Sequence, residues 1–313
     1  MRSIFEFPLR LAIGWGISPR ILGVLAMGML VILRLSIGWH FHSEGLEKYR
    51  QGDWDAAPFF ANAKGPFAES FKDLVWDRHG ENRRDLVFHE WWLAQYNEKA
   101  SAYFSFTETE KVAAEAKLQQ LLKNVDLILK DYEEDLREYD LRRERIADLK
   151  SKGDWANVDS LSGQIATLEK ENASKLAPPM KEIDDLWDAY EVSINALAAP
   201  NQKEESPALR LGKPRTGRVD TSIINPYVPY FDLAIGWCLM LGLFTPLASL
   251  AAAAFLGSVF LSQYPPGTGP TSSNYQLIEG MACLVIAATG AGRFLGLDYF
   301  LHLYIRRSQQ RQS

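Results

Sequence analysis

The hydrophobic residues of this chain are concentrated in two blocks, residues 21–42 and 227–293, with a long polar stretch between them. From Ile21 to Phe41 the only charged residue is Arg34. A helix of about 20 residues is roughly 30 Å long, which matches the hydrocarbon layer of a membrane. The first block therefore predicts a transmembrane helix. A cleaved signal peptide is the alternative, but its apolar region is shorter and is followed by small residues at a cleavage site.

The second block is too long for a single crossing. Pro246 fits poorly inside a helix and disfavours a helical conformation at the residue before it. The block is therefore expected to contain one helix near residues 228–244 and another near 247–263. A loop rich in Pro, Gly and Ser follows, and then a helix near 275–291. Together with the first block, this pattern predicts four transmembrane helices.

The polar stretch, residues 43–226, has the periodicity of helices and few strand signals. Apolar residues recur every three or four positions on both sides of the sequence KSKGD, where Asp154 is a favourable helix N-cap. This pattern predicts an antiparallel coiled-coil hairpin over residues 108–177. A third helix is expected to start near Pro179, and residues 200–222 are typical of an exposed linker.

The predicted fold class is thus all-α, a four-helix transmembrane bundle with a large helical domain. Its orientation follows from positive charges beside the apolar blocks. Residues 1–20 contain three arginines and one glutamate, and residues 294–313 contain three arginines and one aspartate. Both segments are therefore expected to lie at the cytoplasmic surface, the second as an amphipathic helix. Residues 43–226 are then expected outside the cytoplasm.

Composition narrows the functional classes. The net charge is −5 and no basic stripe is present, so nucleic acid is not an expected partner. Cys238 and Cys283 both lie inside apolar runs, where they are either small buried hydrophobes or a redox pair between helices. His40 and His42 are two residues apart and would point in different directions on a helix, so no metal site is expected.

Polar residues inside the apolar blocks need partners, because charged groups at membrane depth are costly. The first prediction is an ion pair between Arg34 and Glu279, which would join the first and fourth helices. The second is a clamp between Arg293 and Asp298 at the cytoplasmic end. The third is a polar pocket facing outward between the helices, for which separate contacts with water and lipid headgroups are the alternative. Its candidate residues are Arg34, His42, Glu44, Asp232, Gln276 and Glu279.

The apolar blocks resemble the DoxX family of small integral membrane proteins. The resemblance is carried by the order and spacing of short motifs rather than by one decisive motif, and it covers about two fifths of the chain. The matching stretches are LRLSIGWHFHSEGLEK at the first helix, IGWCLMLGLFTPLASLAA at the second and third, and YQLIEGMACLVIAATGAGRFLGLD at the fourth. Familiar members are short, whereas this chain has a long insert after its first helix.

The resemblance implies a location in the bacterial inner membrane. It also suggests a membrane subunit of a quinone-linked oxidoreductase, with quinone bound near Arg34, His42, Asp232, Gln276 and Glu279 and a protein partner docked on the outer domain. A non-enzymatic scaffold for periplasmic partners is the alternative, and a small-solute transporter ranks third. The sequence leaves homo-oligomer formation open.

Overall fold

A computed structural model describes residues 23–52, 54–151, 159–199, 207–214, 219–264 and 273–310. The described residues form helices and no β-strand, so the fold is all-α as the sequence predicts. Segment 1–20, Asp154 and most of the loop before the fourth apolar helix lie outside the described residues, and so does much of the predicted linker.

The described helices are numbered in chain order. They are α1 Val24–Gln51, α2 Ala57–Ala61, α3 Ala68–Lys72, α4 Leu86–Phe104, α5 Glu108–Asp131, α6 Glu133–Ser151, α7 Asp159–Asn195, α8 Thr221–Ile224, α9 Val228–Leu241, α10 Thr245–Ser262, α11 Asn274–Thr289 and α12 Asp298–Gln310, with a 3₁₀ turn at Ala291–Arg293. The break expected at Pro246 is confirmed, because α9 ends at Leu241 and α10 begins at Thr245.

The chain divides into two compact units. The bundle unit comprises Met1–Trp76 and Arg215–Ser313, and the insert unit comprises Asp77–Pro214. The bundle unit therefore includes residues 54–76, which follow the first apolar helix in sequence. In the bundle unit, α1 packs along α9 and α10 packs along α11.

Glycines permit the close approach of α1 and α9. A Cβ atom added to Gly236 of α9 would lie 2.6 Å from the backbone nitrogen of His42, and one added to Gly45 of α1 would lie 2.7 Å from the backbone nitrogen of Leu233. Small residues at such positions bring two helix backbones together and increase their van der Waals contact. The α1–α9 contact is therefore a backbone-to-backbone one.

The bundle unit is apolar both inside and outside. Its core contains Ile37, Phe41, Ile235, Leu239, Ala248, Ala252, Leu256, Cys283, Ile286 and Ala291. Large apolar side chains are also exposed on the outer faces, among them Met29, Ile32, Leu250, Ile278 and Met281. An apolar exterior of this extent marks a surface that contacts lipid or protein. Among the described helices, α1 and α10 are long and apolar enough to span a membrane, and α9 is a shorter apolar helix.

In the insert unit, α5 packs against α4 and α7, and α6 packs against α7. The first arm of the predicted hairpin is interrupted at Tyr132, because α5 ends at Asp131 and α6 begins at Glu133. The predicted helix start at Pro179 is wrong, because α7 continues through Pro178 and Pro179. The buried positions Leu176, Met180 and Ile183 keep helical spacing across the prolines. The helix therefore stays unbroken along this packed face, although proline removes backbone hydrogen bonds.

The insert unit buries a histidine that the sequence did not single out. His89 of α4 is fully buried, its ring lies 5.4 Å from that of Trp187, and its Nδ1 is 2.9 Å from the carbonyl oxygen of Asp85. Its Nε2 has no hydrogen-bond partner among the described residues. Burial lowers the pKa of His89 from its ordinary value of 6.5. The neutral ring is therefore the form that the fold accommodates.

The first expected outcome concerns the α1–α9 contact. Gly236→Ala should destabilise the protein by about 1–3 kcal/mol, because the added methyl group has no room against the backbone of α1. Gly257→Ala is the matched control in α10, since nothing lies within 4 Å of its added Cβ. It should be neutral or stabilising by up to about 1 kcal/mol. Equilibrium unfolding in mixed micelles measures both, and equal effects would contradict this account of the contact.

The second expected outcome is a pH dependence in the insert unit. Because His89 has a lowered pKa in the folded state, the unfolded chain binds more protons just below pH 6.5. The stability that neutral His89 provides is therefore fully present above pH 6.5 and is lost as the pH falls toward the folded-state pKa. His89→Gln should remove this loss.

Hydrogen exchange of the peptide that spans α4, corrected for the intrinsic exchange rate, measures the effect. Protection in the wild type should fall relative to the His89→Gln variant as the sample is acidified. Parallel pH profiles for the two proteins would exclude a buried neutral His89.

Candidate functional site

Arg34 lies at the end of the bundle unit where α9 and α11 end and α10 begins. It is only 1 % exposed, although it belongs to an apolar helix. Its Nη1 donates to the carbonyl oxygens of Ala291 at 3.2 Å and Phe294 at 3.4 Å, and its Nη2 donates to that of Leu295 at 3.1 Å. The last carbonyl groups of a helix and the residues after it lack intrahelical donors. Arg34 therefore satisfies buried acceptors beyond the end of α11.

Asp298 completes this group of residues, hereafter the Arg34 cluster. Its Oδ1 accepts a hydrogen bond from the backbone N–H of Phe244 at 2.7 Å, and its Oδ2 accepts one from Thr245 at 2.9 Å. A carboxylate in this position caps the N-terminus of α10 and complements the helix dipole. The cluster leaves no space for a side chain at Gly242, whose added Cβ would collide with the guanidinium of Arg34. The Arg34 cluster is therefore densely packed and is not an open binding site.

The predicted ion pair between Arg34 and Glu279 is wrong. The side chain of a helical residue points back toward the helix N-terminus, so Arg34 reaches toward the end of α11. Glu279 lies near the other end of that helix, roughly three turns away from Ala291. As for the predicted clamp, the described contacts of Asp298 run to the start of α10, while Arg293 is half-buried in the 3₁₀ turn nearby.

Glu279 is paired with His40 instead. The Nδ1 atom of His40 lies 2.8 Å from Oε1 of Glu279, and this contact joins α1 to α11. The side chain of Glu279 is mostly buried, whereas that of His40 is 46 % exposed. The pair is thus reachable from solvent on the histidine side.

A second ion pair joins α1 to α9 nearer the end of α1. The Nζ atom of Lys48 lies 2.7 Å from Oδ2 of Asp232 and 3.6 Å from Oε2 of Glu44, and it lies over the ring of Trp54 at 5.3 Å. Asp232 is 1 % exposed, so its negative charge is stabilised mainly by Lys48. The positive charge of Lys48 is in turn shared between two carboxylates and an aromatic face.

These ion pairs adjoin a cavity of about 350 Å³ in the bundle unit. Its polar lining includes His40, Glu44, Lys48, Asp55, Asp232, Ser258 and Gln276, and its apolar lining includes Phe41, Trp54, Phe59, Phe60, Val228, Phe255, Leu256, Val259 and Tyr275. Cavities of this size with apolar walls and a few polar groups are typical of small-molecule sites.

Two buried polar atoms at this cavity are unsatisfied. Oδ1 of Asp232 and Oε1 of Gln276 have no hydrogen-bond partner among the described residues. Both are acceptors, so the cavity wall requires donors that the described protein groups do not supply. Such groups are expected where a ligand or an ordered water completes the site.

The structure brings together only part of the predicted pocket. Asp232, Gln276 and Glu44 line one cavity, and Glu279 is connected to it through His40. Arg34 is in the separate cluster described above. His42 is on another face of α1, where its ring lies 5.1 Å from that of Trp237.

His40 and Lys48 line this cavity, although neither is among the candidate residues of the predicted pocket. Both residues lie four positions from Glu44, so His40, Glu44 and Lys48 share one face of α1. That spacing is the sequence signal that would have identified them. Both cysteines are free thiols, and no group of His, Cys, Asp or Glu suited to a metal ion occurs among the described residues.

No protein-family model, curated protein or solved structure matches this chain. The geometry of the cavity alone therefore indicates what it can bind. Its aromatic walls suit a flat ring, and its titratable groups suit a ligand that exchanges hydrogen bonds or protons with the protein.

The third expected outcome distinguishes the observed partners of Arg34 from the predicted one. Arg34→Met should destabilise the protein by about 3–5 kcal/mol, because it leaves the carbonyls of Ala291, Phe294 and Leu295 without their donor and Asp298 without a nearby cation. Glu279→Gln should cost less than about 1 kcal/mol, because its partner His40 is half-exposed.

A double-mutant cycle in mixed micelles measures the coupling between the two residues. The two effects should add within about 0.5 kcal/mol, since the side chains share no partner. A coupling well above about 1 kcal/mol would mean that Arg34 and Glu279 do interact.

Proposed function

We propose that this chain is a DoxX-like multi-pass protein of the bacterial inner membrane and that α1, α9, α10 and α11 cross the bilayer. Three observations support the proposal. The four helices occur in the order that the resemblance implies, their outer faces carry exposed large apolar side chains, and the one buried arginine of α1 donates hydrogen bonds to backbone carbonyls. The basic ends of the chain favour cytoplasmic termini, with the insert unit on the outside.

Within the insert unit, and within the range 108–177 predicted for the coiled-coil hairpin, α6 and the first part of α7 are proposed to form it. Ion pairs support an antiparallel arrangement: Lys150 lies 2.6 Å from Glu169, and Lys175 lies 2.8 Å from Asp135. Residues late in α6 thus meet residues early in α7, and residues early in α6 meet residues later in α7. We propose that this unit docks a protein partner.

The proposed activity of the bundle unit is binding of a quinone as the membrane subunit of an oxidoreductase. The observation that carries the proposal is the cavity itself, in which the His40–Glu279 and Lys48–Asp232 pairs adjoin the aromatic side chains of Trp54, Phe59 and Tyr275. A quinone headgroup suits such a cavity, because it is a flat apolar ring with two polar oxygens on opposite sides. Histidine and carboxylate groups at the wall are suitable proton donors and acceptors for its reduction.

A scaffold without a ligand is the second candidate. The observation that favours it is the exposed apolar surface of the insert unit, where Val87 and Trp91 lie one turn apart on α4 and Val112 is exposed on α5. Exposed apolar residues of this kind are typical of protein-docking surfaces. The two candidates differ in whether the cavity of the bundle unit is occupied.

The fourth expected outcome tests the cavity. Ser258 lines it, and Ser258→Trp should fill part of its volume and weaken binding of duroquinone at least about tenfold. Ala254→Trp is the matched control, because Ala254 is exposed one turn earlier on α10 and does not line the cavity. Equilibrium dialysis of the full chain in lipid nanodiscs, with empty nanodiscs as the blank, measures both. Equal binding by both variants, or none by the wild type, would favour the scaffold.

A further inference from the structure

Asp232 carries an unmet hydrogen-bonding requirement at the wall of the cavity. One of its carboxylate oxygens, Oδ2, accepts from Lys48 at 2.7 Å. The other, Oδ1, is buried and has no partner among the described residues. A buried carboxylate oxygen without a donor costs more free energy than an ordinary unpaired polar atom, because it carries part of a full negative charge. Whatever occupies the cavity beside Asp232 is favoured if it offers an O–H or N–H group.

Gln276 provides a second hydrogen-bond acceptor that lacks a donor. Its Oε1 is also buried without a partner among the described residues, and Gln276 lines the same cavity from the start of α11. The positive groups are already engaged, since Lys48 contacts Asp232 and Glu44 and the Nδ1 of His40 contacts Glu279. Both of the buried lining atoms that lack a partner among the described residues are therefore acceptors.

The two oxidation states of a quinone differ in this property. The oxidised ring has two carbonyl oxygens, which only accept hydrogen bonds. The reduced ring has two hydroxyl groups, each of which donates one hydrogen bond and also accepts. A carbonyl placed against Oδ1 of Asp232 would bring two acceptors together, whereas a hydroxyl would form a charge-assisted hydrogen bond.

We infer that the cavity binds the reduced, hydroxyl-bearing form of its ring ligand more tightly than the oxidised form, and that Asp232 Oδ1 is the acceptor that makes the distinction. The inference rests on the proposed function, since it concerns the ligand of the same cavity. A hydrogen bond to a charged group corresponds to about tenfold or more in affinity. Gln276 contributes a second, smaller part of the preference because it is uncharged and less buried than Asp232.

A preference of this kind also sets the redox behaviour of the bound ligand. Tighter binding of the reduced form makes the bound quinone easier to reduce than the free one. For a two-electron couple, a tenfold preference corresponds to about 30 mV. The site would then hold the hydroquinone, which carries two more electrons and two more protons than the quinone, more tightly than the quinone itself.

The fifth expected outcome is a difference between two probes, duroquinone and durohydroquinone. Equilibrium dialysis under argon, with the full chain in lipid nanodiscs, should give at least about tenfold tighter binding of durohydroquinone to the wild type. Asp232→Asn should reverse the preference. Its amide keeps the shape of the side chain, but with its oxygen toward Lys48 it presents N–H donors where Oδ1 had been.

The matched control is Glu44→Gln. Glu44 lines the same cavity and lies near the same lysine, but its side chain is 50 % exposed and therefore accessible to solvent. This variant loses the same charge as Asp232→Asn and should retain the preference for durohydroquinone. Gln276→Leu, which removes the second acceptor at the edge of the cavity, should reduce the preference without reversing it.

The outcomes separate this inference from the proposed function. Equal affinity of the wild type for both probes would overturn the inference and leave quinone binding intact. An unchanged preference in Asp232→Asn, or an equal loss in Glu44→Gln, would also overturn it. Binding of neither probe would overturn the proposed function together with the inference. If Asp232→Asn does not fold, the wild type and Gln276→Leu still decide the question.

Discussion

The fold of the bundle unit depends on how one buried guanidinium is satisfied. Arg34 is placed by α1 in apolar surroundings, where an unpaired charge would be too costly to retain. Its five N–H donors form a rigid fork, and the chain supplies carbonyl groups where α11 has ended, with Asp298 capping α10 close by. The ends of three helices are thereby fixed around one side chain of the fourth. Glycines at 242, 292 and 296 leave the space this requires.

Because both terminal nitrogens of Arg34 donate to carbonyl groups at that end, the polar groups near the other end of α1 are available for different contacts. There, His40 pairs with Glu279 of α11, and Lys48 pairs with Asp232 of α9 beside Glu44. Structural and chemical roles are therefore separated along one helix. The tight backbone contact at Gly45 and Gly236 holds α1 against α9, and the cavity lies beside it among α10, α11 and residues 54–60.

The sequence predicts the helices better than it predicts their contacts. The break at Pro246 and the helical nature of the insert unit are readable from local patterns, since they depend on proline geometry and apolar spacing. The partner of Arg34 cannot be read from a local pattern, because it is a set of backbone carbonyls that becomes available only where α11 has ended. The unbroken α7 was also missed, because a local rule for Pro179 takes no account of the buried face that continues past it. His40 and Lys48 could have been found by applying the spacing of four on both sides of Glu44.

The proposed position of α1, α9, α10 and α11 is within a lipid bilayer. Extraction of cell membranes with alkaline sodium carbonate tests it most directly, because this treatment releases peripheral proteins and leaves bilayer-spanning ones in the pellet. If these four helices cross the bilayer, the chain stays in the pellet and is released only by detergent. Recovery of the folded chain in the carbonate supernatant would contradict it, since the exposed apolar faces of these helices would then have to be covered by something other than lipid.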